Sequence, residues 1–178
     1  MEQNKTKGIY AYSMEYALYF GLLLIVKMLV SSLDKESAFV TSLFMLFTMA
    51  VPVVGYVLTK RFRDVSGFSS FSQLFLFGVL MYFFAGLLSG MFDYIYYQYL
   101  NPQFFQEQLS DVDKLLGEMV NVGMITDSEL TAQLEAEKPT SPIEVVYQGI
   151  WGMIMMGAIY SLVLALILRR RKKTVSNN

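Results

Sequence analysis

The chain has 178 residues, of which 54% are hydrophobic, 15% aromatic and only 16% charged, and its mean hydropathy is +0.43. That is too apolar for an ordinary soluble domain. It contains no Cys and no His, which excludes disulfides and thiolate nucleophiles and removes the ligands of haem and of nearly all zinc, copper and non-haem iron sites, so neither a metal nor a cofactor is expected. The net charge of −1 conceals a strong segregation of sign along the chain.

Four apolar runs are each long enough to cross a bilayer. The first, about 10–33, follows a short polar tail holding Lys5 and Lys7. It is longer than a signal-peptide core, is interrupted by Glu15 and Lys27, and shows no small-residue cleavage pattern, so a retained span is expected. The second run, 38–59, follows a short polar turn and must return antiparallel to the first. Pro52 is expected to kink it, which membrane helices tolerate because neighbouring groups can satisfy the freed carbonyl. Lys60-Arg61-Phe62-Arg63-Asp64 then marks a water interface, and Ser66-Gly67 a turn.

The third run, 71–97, ends among Tyr94, Tyr96, Tyr97 and Tyr99, which fits an aromatic belt at headgroup level, before Asn101-Pro102 breaks the helix. From Gln103 to Ser141 eight carboxylates stand against Lys114 and Lys138. Within this stretch Phe105, Leu109, Val112, Leu116 and Met119 recur at three- and four-residue steps, the pattern of an amphipathic helix. After Gly123, the capping box Thr126-Asp127-Ser128-Glu129 signals a second short helix with Leu130 and Leu134 on one face. The fourth span, 143–168, starts at Ser141-Pro142-Ile143-Glu144, with Ser as cap and Pro at the first helical position. It ends against Arg169-Arg170-Arg171-Lys172-Lys173.

The two tails and the second loop hold ten Lys and Arg, the first and third loops three. By the positive-inside rule both termini are cytoplasmic and the acidic segment 101–141 is outside. The chain thus reads as all-α: an integral membrane four-helix bundle, one membrane domain over 1–178, with an extracytoplasmic amphipathic helical hairpin between spans 3 and 4. That hairpin either covers apolar surface at the outer leaflet or bundle end, the favoured reading, or serves as a partner-docking or lid element. Its negative face argues against binding anionic lipid.

Two elements carry a resemblance. The end of span 3, Tyr96-Tyr97-Gln98-Tyr99-Leu100-Asn101-Pro102, and the step Gly123-Met124-Ile125-Thr126-Asp127-Ser128-Glu129-Leu130, set among four spans and an acidic helix, resemble the Bacteroidota membrane-protein family catalogued as domain of unknown function 4199. The resemblance covers about Ser13 to Arg169. It implies a bacterial inner-membrane protein and no activity, substrate or catalytic residue.

Three ionisable residues fall inside the spans, Glu15, Lys27 and Asp93, and such residues are costly enough to count as functional candidates. Lys27 and Asp93 are expected at similar depth, a turn or two below the outer surface, where an interhelical ion pair would neutralise both and fix the register of spans 1 and 3. A structural pair is favoured over an ion or proton relay, because Lys27 can also snorkel and no chain of titratable groups continues across the membrane. Glu15 sits about one turn inside the cytoplasmic edge among Tyr12, Tyr16 and Tyr19. Such a carboxylate could bind a lipophilic cation or carry a proton, and small multidrug exporters have a Glu in their first span, although they are shorter and lack an outer hairpin. The alternative, a pair with Lys60, Arg61, Arg63 or Arg169 at the interface, is favoured.

Gly86 and Gly90 form a GxxxG in span 3, and Gly157 and Ser161 continue with Ala165 as small residues every four positions in span 4. These are packing faces, serving the bundle itself or a homo-oligomer, with the bundle favoured. Met153, Met155 and Met156 read as adaptable filler, and the terminal basic run as a stop-transfer anchor with no nucleic-acid partner. Ser-His proteases, zinc proteases, paired-Asp intramembrane proteases and phosphate-loop enzymes all lack their required groups. The sequence therefore points to a non-enzymatic membrane component, a scaffold, assembly or regulatory subunit; the alternative is a small oligomeric transporter with Glu15 as coupling carboxylate.

Overall fold

The structure is a computed structural model, which describes residues 8–33, 37–123, 132 and 141–169. The second outer helix expected from Thr126, the tail bases Lys5, Lys7 and Arg170 to Lys173, and Lys35 and Lys138 lie outside the described residues. Every element named below is helical: α1 (Ile9–Ser31), α2 (Ala38–Ser66), α3 (Phe71–Ile95, continued as a π-helical turn Tyr96–Leu100), α4 (Pro102–Asn121) and α5 (Pro142–Leu168). Helices α1, α2, α5 and α3 with its π turn are long and apolar enough to cross a membrane, so this is a multi-pass membrane protein. The chain divides into two compact units, Met1–Ser89 with Gly149–Asn178, and Gly90–Gln148.

The boundaries follow from local chemistry. Helix α2 continues through the basic stretch to Ser66, past the point where its apolar run ends, because Lys60, Arg61 and Arg63 are good helix formers and a helix need not stop where the lipid does. It ends at Gly67, whose φ of 74° is the left-handed closure that favours glycine. Helix α3 opens on a capping box that the sequence reading above overlooks. The Ser70 backbone N–H donates to Gln73 Oε1 at 3.3 Å, and the Gln73 N–H donates to Ser70 Oγ at 3.4 Å. Helix α5 begins at Pro142 as expected, with the Glu144 N–H donating to the Ser141 carbonyl at 3.1 Å.

The core of the first unit gathers at the end that carries Lys60, Arg61, Arg63 and Arg169, called here the basic end. Tyr16, Ala17 and Phe20 of α1, Leu58 and Phe62 of α2, Leu74, Phe77, Met81, Tyr82 and Ala85 of α3, and Leu164, Ala165 and Leu168 of α5 form one buried cluster. Its centre is aromatic. The Phe62 and Phe77 rings stack at 3.9 Å with 3° between their planes, Tyr12 meets Phe62 edge-on at 5.5 Å, and Tyr16 meets Phe77 edge-on at 5.6 Å. A second run joins Phe20 to Tyr82 at 4.8 Å and Tyr82 to Tyr160 at 6.2 Å. Seven rings thereby tie all four helices together.

Small residues allow that approach. A methyl group on Gly157 would run into Cβ and Cγ of Tyr82, and one on Gly78 would overlap Oγ and Cβ of Ser161. A methyl on Gly55 would lie 2.8 Å from the Tyr82 hydroxyl, and one on Gly21 2.8 Å from Leu88 Cδ2. Gly157 and Ser161 are thus engaged inside this chain, against α3. A substitution pair tests this. Gly78→Ala should lower the unfolding midpoint in detergent by an amount corresponding to on the order of 1–3 kcal/mol, and adding Ser161→Gly should recover most of that loss, whereas additive losses would disprove the close contact.

Candidate functional site

In the first unit the charged residues of interest lie at the basic end and on α1. Glu15 is partly buried on α1, beside the buried ring of Tyr16 and the partly buried ring of Tyr12. Tyr19, on the same turn, is 62% exposed.

Arg63 has a different task. Its Nη1 donates to the Leu168 carbonyl at 3.3 Å, while its Nε donates to Asp64 Oδ1 at 2.9 Å and its Nη2 lies 2.8 Å from the same oxygen. Its guanidinium therefore satisfies a carbonyl at the C-terminus of α5 and places positive charge at the negative end of that helix dipole. Lys27, further along α1, holds its ammonium 5.2 Å from the centroid of the Phe44 ring on α2. This cation–π contact is a partner that the sequence reading does not name, since it depends on which faces of α1 and α2 turn toward each other.

In the second unit Asp93 lies on α3 one turn before the π turn. It is partly exposed overall, but its Oδ1 is buried and has no hydrogen-bond partner among the described residues. Above it the belt tyrosines pack on the start of α4: Tyr97 stacks on Phe104 at 6.0 Å, and Tyr96 meets Phe104 edge-on at 5.9 Å. Asn101 organises this junction. Its N–H donates to the Tyr96 carbonyl at 2.8 Å, closing the π turn, and its Oδ1 accepts from the Phe104 N–H at 3.2 Å, capping α4. The break expected at Asn101-Pro102 is thus a single residue long, and Pro102 occupies the first turn of the next helix.

Of the four packing residues read from the sequence, Gly157 and Ser161 sit as described, and Gly86 lies under Met153, whose sulfur would be 3.2 Å from an added methyl. Gly90, in the second unit, is buried. A family model described as "Protein of unknown function (DUF4199)" matches residues 15–170. The chain belongs to this DUF4199 family. Neither a curated protein nor a solved structure matches it. In this DUF4199 protein the matched segment holds Glu15, Lys27 and Asp93 together with the bulk of every membrane-spanning helix.

The geometry at the basic end gives a graded expectation. Arg63→Gln removes the bond to the Leu168 carbonyl and the charge at the α5 terminus. It should cost on the order of 1 kcal/mol in detergent unfolding. Arg61→Gln, at an exposed position, should cost less than half as much, and equal losses would contradict the special role of Arg63.

Proposed function

We propose that this protein is a non-enzymatic component of the bacterial inner membrane, a small scaffold, assembly or regulatory subunit whose segment 101–141 meets a partner protein outside the cytoplasm. The ten-to-three bias of Lys and Arg supports cytoplasmic termini and an outer acidic segment. The observation that carries the reading is the character of the core. Among the described residues the buried polar side chains are four hydroxyls, Ser13, Thr59, Ser89 and Ser161. Ser13 and Thr59 donate to carbonyls four residues back, Ile9 and Gly55, at 2.9 and 2.8 Å, and Ser89 donates to Gly86 at 3.3 Å. Ser13 also reaches the Phe77 carbonyl of α3 at 3.4 Å, and Ser161 has no partner among the described residues; neutral hydroxyls spent on backbone carbonyls serve helix packing rather than conduct or react.

The surface of α4 suits a docking role. Glu107, Asp111 and Glu118 are exposed and their spacing puts them on one helix face, with Lys114 alone among them. A partner with a basic surface complements that stripe. Cross-linking followed by pull-down from native membranes should recover a stoichiometric protein. Neutralising the stripe with Glu107→Gln, Asp111→Asn and Glu118→Gln should weaken recovery at least about tenfold while leaving membrane abundance unchanged. Recovery of nothing beyond the deletion control would sink the reading.

The buried Oδ1 of Asp93, without a partner among the described residues, favours one second reading, a small oligomeric transporter with Glu15 as coupling carboxylate. Proteoliposome uptake separates it from the first. Transport abolished by Glu15→Gln supports it; transport of unchanged rate removes Glu15 from the mechanism. The charge exchange Lys27→Asp with Asp93→Lys adds a further discrimination. Abundance lost in each single variant and restored in the double marks an interhelical structural pair, as the sequence suggests, while normal abundance with a defect in growth or uptake assigns the charges to function.

A further inference from the structure

Helix α2 changes character at Pro52. On the basic-end side Gly55, Leu58, Thr59 and Phe62 are buried. On the other side no residue from 38 to 51 is buried, and Phe39, Met45, Leu46 and Met49 are between 63% and 74% exposed. One half of the helix is therefore built into the first unit's core, and the other contributes a half-buried stripe, Val40, Leu43, Phe47, Ala50 and Val51, of which Val51 packs against that core.

The chemistry of the joint weakens the helix at the same place. Pro52 has no N–H, so the Thr48 carbonyl loses its normal donor. The Thr48 hydroxyl donates to the Phe44 carbonyl at 2.9 Å, a back-bond that bends helices and loosens the local ladder. Gly55, one turn further on, is left without a side chain because the Tyr82 hydroxyl occupies that space. Two polar contacts from other helices stand out in this region. The Tyr160 hydroxyl of α5 donates to the Pro52 carbonyl at 2.5 Å, which anchors the joint itself. The Lys27 ammonium of α1 lies over the Phe44 ring at 5.2 Å, which holds the half beyond the joint.

We propose that residues 38–51 of α2 form an arm that swings about Pro52 within the bilayer, with Tyr160 as its pivot and Lys27 as its latch. The pivot acts on the joint, so it survives the swing. The latch is made only when the arm lies against α1. A cation–π contact away from water is strong enough to bias such an equilibrium and too weak to freeze it. This proposal stands apart from partner docking at segment 101–141, because it concerns the first unit alone.

The absence of Cys makes the test direct, since any introduced pair can be spin-labelled without background. In full-length protein in lipid nanodiscs, labels at Met45→Cys and Ile159→Cys report the arm against α5, and labels at Val57→Cys and Ile159→Cys report the packed half of α2 as control. Pulsed electron resonance should give an arm distribution at least about twice as wide as the control, or two maxima. Lys27→Met should change the ratio of the two populations about threefold or more, and Phe44→Leu should do the same from the other side of the latch. Pro52→Ala should narrow the arm distribution toward the control. An arm distribution as narrow as the control overturns the proposal, and a wide one that neither Lys27→Met nor Phe44→Leu alters overturns the latch.

Discussion

Apolar helices surrounded by lipid gain almost nothing by leaving it, so this bundle depends on how closely its backbones can approach. The tight points are specific. Tyr82 of α3 occupies the space where Gly157 of α5 and Gly55 of α2 lack side chains, and Ser161 of α5 occupies the space above Gly78 of α3. These five positions draw α2, α3 and α5 to one level, and the rings follow. Tyr82 can face both Phe20 and Tyr160 only because no methyl group at Gly157 pushes it away. The stacked pair Phe62 and Phe77 then brings the basic ends of α2 and α3 together, with Tyr12 and Tyr16 of α1 edge-on around it. Dispersion and ring geometry supply here the cohesion that water supplies in a soluble core.

The helix ends obey a second constraint, since a terminal N–H or carbonyl near lipid needs a partner from the chain itself. The start of α3 is closed by Ser70 and Gln73, the start of α4 by Asn101 and the end of α5 by Arg63. Each closure also fixes a direction. Asn101 ends one helix and starts another within a single residue, which sets α4 off at the tyrosine belt. Arg63 couples the C-termini of α2 and α5, so the base that marks the membrane edge in the sequence is at the same time a packing element.

Hydropathy made the spans legible, because a run of twenty apolar residues has few structures open to it. The breaks at Asn101-Pro102 and Ser141-Pro142 were legible because proline lacks the N–H that a continuing helix needs. The extension of α2 to Ser66 was not, since hydropathy reports where lipid ends rather than where helix ends. Ser70 and Gln73 carry a pattern that could have been found, Ser-x-x-Gln before an apolar run. Phe44 as the partner of Lys27, Pro52 as the acceptor of Tyr160 and Gly78 as the seat of Ser161 carry no such pattern. Each depends on the rotation of one helix about its axis relative to another, and a helix that is apolar all round gives no moment from which that rotation can be read.

Asp93 breaks the economy that governs the rest. Ser13, Thr59 and Ser89 each find a backbone carbonyl, and Ser161 leaves only a neutral hydroxyl without one. A buried carboxylate oxygen with no donor among the described residues is far more expensive than a hydroxyl in the same position. Neither close backbone approach nor ring stacking accounts for it, for a Leu or Met at 93 would serve packing better. It lies one turn before Tyr96–Leu100, where α3 gives up its regular ladder for a π turn, a local irregularity that recurs at functional sites. The buried cluster of the first unit can be understood from packing alone. In the second unit Asp93 cannot, and it marks the end of α3 from which α4 departs as the place where packing fails to explain the chain.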